Sequence, residues 1–475
     1  MFWKKLFFYT LFLFSLLSFS YIYTYAGPDA SEAKRIAVIG GGMAGVSATL
    51  FFQAGNYQVE LFEKEQALGG NARTLRFKPD DHDSEVTVDM GPDSFAYGAW
   101  NSYIDLLNYF DLFKNEDVTA FSPSIAIYKE QKSRPILLLP GSNISPWTTL
   151  IHPSNVSHSL SMLKFITQAR SLYTNPKANP YETVDQWFSR HNFSSSVENT
   201  MVKPLLASMT NATLAEVGGV SMLHSIQSLA FRSVWDRTFY ISNIGLGEVI
   251  KIIGKKAEEA AKGNVTIHRG NAVIAVEKTA HNLYQLTDQN GVVREFDYVI
   301  FATHPYQAAK ILSSNKSFSD LLSQFKYNRT YIAVHKDVQE KFTPNGVRAF
   351  YNIRLNHQGN FNLTMNYHAI NYRYKNVLKS WISERSEIDR LKNEGLLYGY
   401  TEYYHPVVTP KFLKLQASVK ELSKQENHQI TFIGGWTTLF ETQDTAIRSA
   451  YLALKELDPE LAAAWGERLP SLLEQ

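Results

Sequence analysis

Three glycines spaced to hold a phosphate are the first residues of this chain with readable chemistry. They fall in Gly40-Gly41-Gly42-Met43-Ala44-Gly45. Gly40 permits a tight turn, Gly42 lets the backbone approach a pyrophosphate, and Gly45 allows a helix to pack closely on a strand. Glu63 stands 23 residues after Gly40. A carboxylate there can accept hydrogen bonds from both ribose hydroxyls and would repel a 2′-phosphate. Such chemistry needs elements to aim it. Arg35 to Ile39 (RIAVI) reads as a short buried strand, Val46 to Ala54 as a helix, and Gln58 to Phe62 as a second strand ending at Glu63. The turn then lies at a helix N-terminus, whose free N–H groups and positive dipole end face the phosphates. A lone glycine motif says little. Set in register with strand, helix, second strand and terminal acid, it predicts a dinucleotide site.

A second glycine turn follows in Leu68-Gly69-Gly70-Asn71-Ala72-Arg73-Thr74, and then Val86-Thr87-Val88-Asp89-Met90-Gly91-Pro92. With these segments the chain resembles the flavin amine oxidase and phytoene desaturase superfamily. In that superfamily the acid ending the second strand is followed by a Gly-Gly segment whose backbone and Arg contact the FAD diphosphate. The resemblance therefore implies FAD rather than NAD. It continues through Gly245-Leu246-Gly247, which opens an amphipathic stretch from Glu248 to Ala261. Val265 to His268 and Asn271 to Val276 alternate as strands, and Leu283 to Val293 forms a hairpin turning at Gln289-Asn290-Gly291. Asp297 to Thr303 reads as a central strand. The superfamily returns to its nucleotide domain in this block, and the residue matching Val273 holds the adenine through its backbone. The C-terminal match, Ile430 to Trp436, leads through Asp444 into a helix from Thr445 to Leu457. It resembles the helix whose N-terminus faces the flavin N1–C2=O edge and stabilises negative charge on reduced flavin. The cofactor contacts so implied are Gly40, Gly42, Met43, Ala44, Gly45, Glu63, Lys64, Gly70, Asn71, Arg73, Val273, Gly435 and Asp444.

Closer still is a subfamily described only as predicted NAD/FAD-binding, amine-oxidase-like proteins. It shares Ala302 to Ala308, Tyr327 to Asp337, Tyr404-His405-Pro406, and Gly434-Gly435-Trp436 through Phe440-Glu441. Two departures bear on chemistry. The subfamily often carries Phe-His-Glu-Asp after the tryptophan, whereas this chain reads Phe440-Glu441-Thr442-Gln443-Asp444. Any catalytic or flavin-attaching role of that histidine is missing or altered. Trp436 stands where many relatives place an acid that binds the ribityl chain. His304, just past the strand ending at Thr303, is a candidate to hydrogen-bond flavin or substrate, or else to cap the helix beginning at Pro305. His335 and His405 are candidate proton acceptors, or satisfied histidines at strand ends. Trp436 with Tyr398, Tyr400, Tyr403 and Tyr404 would make an aromatic box for an amine or a long apolar substrate, or an ordinary aromatic strand pair. Amine oxidases of the superfamily hold a water near the flavin with a lysine, for which Lys326, Lys336 and Lys341 are the candidates. No protein base is required if hydride moves straight from substrate carbon to the flavin, because the protein then supplies orientation and excludes water.

Composition closes off other answers. The chain has 475 residues, 44% hydrophobic and 13% aromatic, enough for a large core. Lys+Arg 47 against Asp+Glu 45 leaves a net charge of +2, too balanced for a nucleic-acid binder. Cysteine is absent, which excludes disulfides, thiolate metal sites and cysteine nucleophiles. No paired His spacing predicts a metal, and Gly219 to Leu223 lacks the closing glycine of a serine nucleophile elbow. Lys4-Lys5 precede an uncharged run from Leu6 to Ala26, long enough to span roughly one bilayer as a helix. Residues 1–27 thus read as a membrane anchor or a signal peptide cleaved after Ala26, placing the body on the exported side. Eight Asn-x-Ser/Thr sequons, beginning at Asn143, Asn155, Asn192, Asn211, Asn264, Asn315, Asn328 and Asn362, are compatible with a secretory route. The expected fold is α/β, a Rossmann-like FAD-binding domain (28–110, 241–310 and 411–475) interleaved with an α+β substrate domain (111–240, largely helical, and 311–410). The expected activity is hydride removal from an amine or lipid-like small molecule, with oxygen or quinone reoxidising the flavin. The alternatives are a lipid desaturase or isomerase, and a flavin-binding protein without turnover. Oligomeric state is left open.

Overall fold

A computed structural model of the chain describes residues 33–474, apart from 81, 83, 130–131, 151–157, 232–237, 262, 337–348, 356–360 and 372–373. The segment 1–27, Asn155 and Lys341 therefore lie outside the described residues. From Arg35 onward the chain packs as one unit. Two large sheets are built from β1 (Lys34–Ile39), β2 (Tyr57–Glu63), β3 (Ile125–Lys129), β4 (Leu137–Leu139), β5 (Val265–Arg269), β6 (Tyr298–Phe301), β7 (Tyr327–His335), β8 (Tyr351–Leu355), β9 (Phe361–Asn366), β10 (Leu378–Ile382), β11 (Leu397–Pro406) and β12 (Ile430–Phe432). The helices that shape the site are α1 (Met43–Phe52), α2 (Asn101–Tyr109), α3 (Met222–Ala230), α4 (Leu246–Ala260), α5 (Pro305–Ile311) and α6 (Gln443–Leu457).

Among the described residues the first sheet has five strands in the order β5-β2-β1-β6-β12. β6 runs parallel to β1 and β12, and β5 runs parallel to β2. The unbroken apolar run of β1 follows from burial on both faces, as parallel strands covered by helices require. Ile36 and Val38 pack with Val46 and Leu50 of α1, Val249 and Ile253 of α4, and Ile447 and Leu454 of α6. Ala37 and Ile39 join a second cluster with Val299, Phe301, Phe412 and Phe432.

The second sheet has seven strands among the described residues, in the order β11-β7-β10-β9-β8-β3-β4. Its pairs are antiparallel except β3 with β8. β3 and β4 come from the stretch 111–240 that reads as largely helical. Residues Ile125 to Tyr128 of β3 are all buried, and a strand buried on both faces loses the alternation that would mark it. Helical residues including Met162, Phe165, Trp187, Leu205, Leu206 and Ile226 cover one face of this sheet through Ile125, Ile127, Ile353 and Leu363. No helix among the described residues is long and apolar enough to cross a membrane.

Candidate active site

A cavity of about 1010 Å³ lies at the C-terminal ends of the five-strand sheet. Its wall takes Gly40 to Ala44 from the turn after β1, Glu63 and Lys64 after β2, Ala302 to His304 after β6, and Ile433 to Trp436 after β12. Chain order reverses between β1 and β6, and ligands of open α/β sheets gather at such switch points. Gly40 sits there with φ +111°, and a Cβ on it would lie 2.7 Å from the Ala302 carbonyl oxygen. A Cβ on Gly45 would stand 1.9 Å from the Gly40 carbonyl oxygen. Gly45 is therefore a packing residue behind the wall. At Gly42 the nearest atoms are 3.7 Å and more away, across a gap from Gly70. The two glycines face each other and leave a cradle that side chains would fill, so the residues fit a pyrophosphate.

Glu63 is buried in the same wall. Its Oε2 accepts the Gly41 N–H at 2.6 Å and its Oε1 accepts the Glu65 N–H at 2.9 Å, which fixes the carboxylate at the cavity edge. Asn71 and Arg73 also line the cavity. The Arg73 guanidinium donates to Thr401 Oγ at 3.0 Å, and Asn71 hydrogen-bonds the Tyr403 hydroxyl. Val273 lines the far end, where the register of its hairpin shifts before Ala275. The N-terminus of α6 enters through Thr442, Gln443 and Ala446. Thr442 caps that helix by accepting the Thr445 N–H.

Besides the contact role expected of Gly45, which does not line the cavity, further sequence expectations are corrected by this geometry. Asp444 does not line the cavity. Its Oδ1 accepts the Ser102 and Tyr103 N–H groups at 2.6 and 3.1 Å, capping the start of α2, and its Oδ2 accepts from Arg448 Nε at 2.8 Å. His335 is buried between β7 and β10, its ring bonded to Ser380 Oγ at 2.8 Å and to the Lys336 carbonyl, away from the wall. Of the candidate lysines, Lys326 pairs with Glu216 and Lys336 with Asp80, and neither lines the cavity. His304 does line it and is also the N-cap residue of α5. Burial, with His405 and Lys64 nearby, lowers its pKa to about 4 and keeps the ring neutral. Trp436 contributes to the wall with its indole N–H pinned on the Thr303 carbonyl at 3.0 Å. Tyr400, Tyr403 and Tyr404 reach the wall, whereas Tyr398 stacks on Phe77 outside it.

A second cavity, of about 260 Å³, opens between the seven-strand sheet and its helical cover. Leu205, Met209, Leu229, Phe239, Leu363 and Met365 make its wall largely apolar. Pro92, Tyr403, Glu441, Thr442 and Gln443 line both cavities, so the two meet at the N-terminal side of α6. Sequence reading did not single out Glu441 as a site residue. Its Oε2 is enclosed with no hydrogen-bond partner and lies 3.7 Å from His405 Nε2. Burial raises the Glu441 pKa from 4.5 to about 8 and lowers that of His405 to about 4, leaving both neutral at pH 7. Also missed was Lys379, fully buried on β10. Its Nζ donates to the Gly91 carbonyl and to Asp93 Oδ2, both at 2.8 Å. A lysine amid alternating strand residues gives no sign that the fold closes over it.

A nucleotide cradle at the switch point of such a sheet, opening onto an apolar chamber, is the arrangement of a protein that binds a dinucleotide beside a second, less polar ligand. The chain belongs to the family of flavin-containing amine oxidoreductases, whose model matches residues 43–369. It is an FAD-dependent oxidoreductase. No curated protein sequence matches it. Its fold is that of the CLA-producing fatty acid isomerase from P. acnes, with a TM-score of 0.64 at 10% identity over 90% of this chain and 99% of that one. It is likewise similar to the cyclohexylamine oxidase from Brevibacterium oxydans IH-35A, with a TM-score of 0.59 at 14% identity over 90% of this chain and 100% of that one.

Proposed function

We propose that this flavoenzyme removes a hydride from a small molecule, an amine or a lipid-like compound, with oxygen or a quinone as the final acceptor. When bound, FAD supplies the hydride acceptor. The chain's residues do the rest. Glu63 would hold the ribose, the Gly42–Gly70 cradle and Arg73 the diphosphate, and the Val273 backbone the adenine. The N–H groups at the start of α6 would face the developing negative charge. Asp444 would act on the flavin only indirectly, by tying α6 to α2. The two sheets divide the labour, with 28–110, 241–310 and 411–475 serving the nucleotide and 111–240 and 311–410 the substrate. The segment 1–27 would carry the body across a membrane and, if uncleaved, hold it there.

The observation that carries the reading is the junction of the large cavity with the apolar one, beside the helix N-terminus that would face the flavin. The apolar wall also favours a second reading, a lipid desaturase or isomerase. Anaerobic titration of the yellow protein with alkylamines and with fatty acids tests both. Bleaching of the flavin absorption by one class identifies an oxidised substrate. Conversion of a fatty acid without net bleaching supports the isomerase. Flavin left oxidised, with no product from any candidate, would show a binder without turnover.

A further inference from the structure

The junction of the two cavities is unusually poor in usable negative charge for a site that would accept an alkylammonium ion. Two acids face the apolar cavity, Asp93 and Glu441. Asp93 is already neutralised. Its Oδ2 accepts from Lys379 Nζ at 2.8 Å and from the Tyr367 hydroxyl at 2.9 Å. An aromatic face could hold a cation instead, but of the two indoles in this wall Trp381 already carries Lys379 Nζ at 4.6 Å from its ring centroid, and Trp100 packs edge-to-face with Phe231 and Phe239 with its N–H donated to Gln443 Oε1. Glu441 is different in kind. Among the described residues no Lys or Arg forms an ion pair with it, and its nearest basic neighbour is the His405 ring. Desolvation without a compensating cation favours the uncharged acid, which has a proton to donate.

We propose that Glu441 is a specificity-determining residue: its enclosed, unpartnered Oε2 stands between the two cavities and donates a hydrogen bond to the polar end of a neutral substrate whose hydrocarbon part fills the apolar cavity. Alkylammonium ions are disfavoured, because seating one beside Glu441 requires a proton to leave, either from the carboxyl or from the amine. This deepens the function proposed above and rests on its assignment of the apolar cavity to the substrate.

The groups facing Glu441 leave it free to titrate alone near neutrality. Tyr403 of β11, Tyr327 of β7 and Tyr306 of α5 interact electrostatically with Glu441, and His405 of β11 stands 3.7 Å from it; His304 lines the same large cavity, while His224 of α3 and Tyr173 of helix Ser159–Tyr173 pack on the adjacent Phe440. On its own side Asp444 is paired with Arg448. The three histidines are pushed down to about 4, and the tyrosines are raised above 10.

Calorimetric titration of the FAD-loaded protein under anaerobic conditions, with octanol and octylamine as probes, tests the assignment. Repeating it in buffers of different ionisation enthalpy counts the protons released. Octanol should bind with no proton release and with constant affinity from pH 6 to the Glu441 midpoint. Octylamine should bind far more weakly at pH 6 and release about one proton. Its affinity should rise about tenfold per pH unit until Glu441 is ionised, then level off. In E441Q the octanol affinity should stay within a few-fold, while the levelling-off for octylamine at the Glu441 midpoint disappears. Flavin content and melting temperature of E441Q confirm that it is folded, and the wild-type titration stands without it. Octylamine binding tightly at pH 6 without proton release would overturn the proposal and leave the cavity assignment intact. Failure of both probes to bind would instead remove the substrate assignment on which it rests.

Discussion

The buried Glu441 carboxyl should leave a signature in the pH dependence of stability as well as in binding. Its pKa rises from 4.5 to about 8 on folding because burial penalises the charged form. The folded protein therefore holds this proton more tightly than the unfolded chain does. The associated stability is fully present below pH 4.5, declines as pH climbs through the interval, and is lost above about 8. E441Q stays neutral throughout and escapes that loss. The two proteins should melt together near pH 4.5 and separate progressively, with E441Q the more stable at pH 8.5 by a few kcal/mol. His224, His304, His335 and His405, all held down to about 4, act the other way, weakening the fold as pH falls below 6.5. They are common to both proteins and cancel in the difference. Parallel melting curves across this range would show that Glu441 is already ionised in the fold. None of this was legible in the chain, where Glu441 reads only as a departure from a family pattern. Its environment is built by His405, Tyr403 and Tyr327, residues 36 to 114 positions away in sequence.

At the scale of elements, the turn between β1 and α1 separates folding from binding. Gly45 and Gly42 belong to one motif, yet a Cβ meets different surroundings at each. On Gly45 it collides with the Gly40 carbonyl at 1.9 Å, a backbone atom that cannot move without breaking the turn. On Gly42 it has space, with nothing nearer than 3.7 Å, and enters only the cradle facing Gly70. Gly45→Ala should cost about 3 kcal/mol or more and yield little folded protein. Gly42→Ala should melt within a degree or two of the wild-type apoprotein and purify colourless. Melting of the apoproteins together with flavin absorbance after FAD addition checks both, and a yellow Gly42→Ala would remove this glycine from the diphosphate site. The motif is readable because its signal is local: each glycine, the β2 strand and Glu63 follow one another closely. Asp444 shows where such reading stops. The helix it begins was found, with its N-terminus at the cavity, but residues one position apart on a helix differ by about 100° in direction. Thr442, Gln443 and Ala446 face the cavity, and Asp444 is turned to the α2 backbone. The rotation of α6 is set by its packing on α1 through Ile447 and Leu454, which no local pattern encodes.

The whole molecule joins a five-strand and a seven-strand sheet whose two cavities share lining residues, and this explains both the legibility of the fold and the obscurity of the substrate. β1, β2, β5 and β6 recur as short apolar strands in a familiar order. The apolar cavity instead draws on residues from Gly91 to Gln443, and only assembly shows that they enclose it. One expectation concerns the chain's relation to a membrane. The run Leu6 to Ala26 follows two lysines and carries no charge, whereas the body from Arg35 onward packs as one unit, with no helix among the described residues able to span a bilayer. We propose that attachment depends on the run Leu6 to Ala26. A chain beginning at Gly27 should carry the same flavin spectrum as the full chain, because the cavity wall begins at Ile39. The full chain, expressed with its N-terminus, should sediment with membranes and resist alkaline carbonate if the segment is an anchor. If it is a signal, the mature protein should begin at Gly27 and appear in the soluble exported fraction. Recovery of the uncleaved full chain in the cytoplasmic supernatant would refute both, since an apolar run of this length at a free N-terminus is recognised for membrane insertion or export.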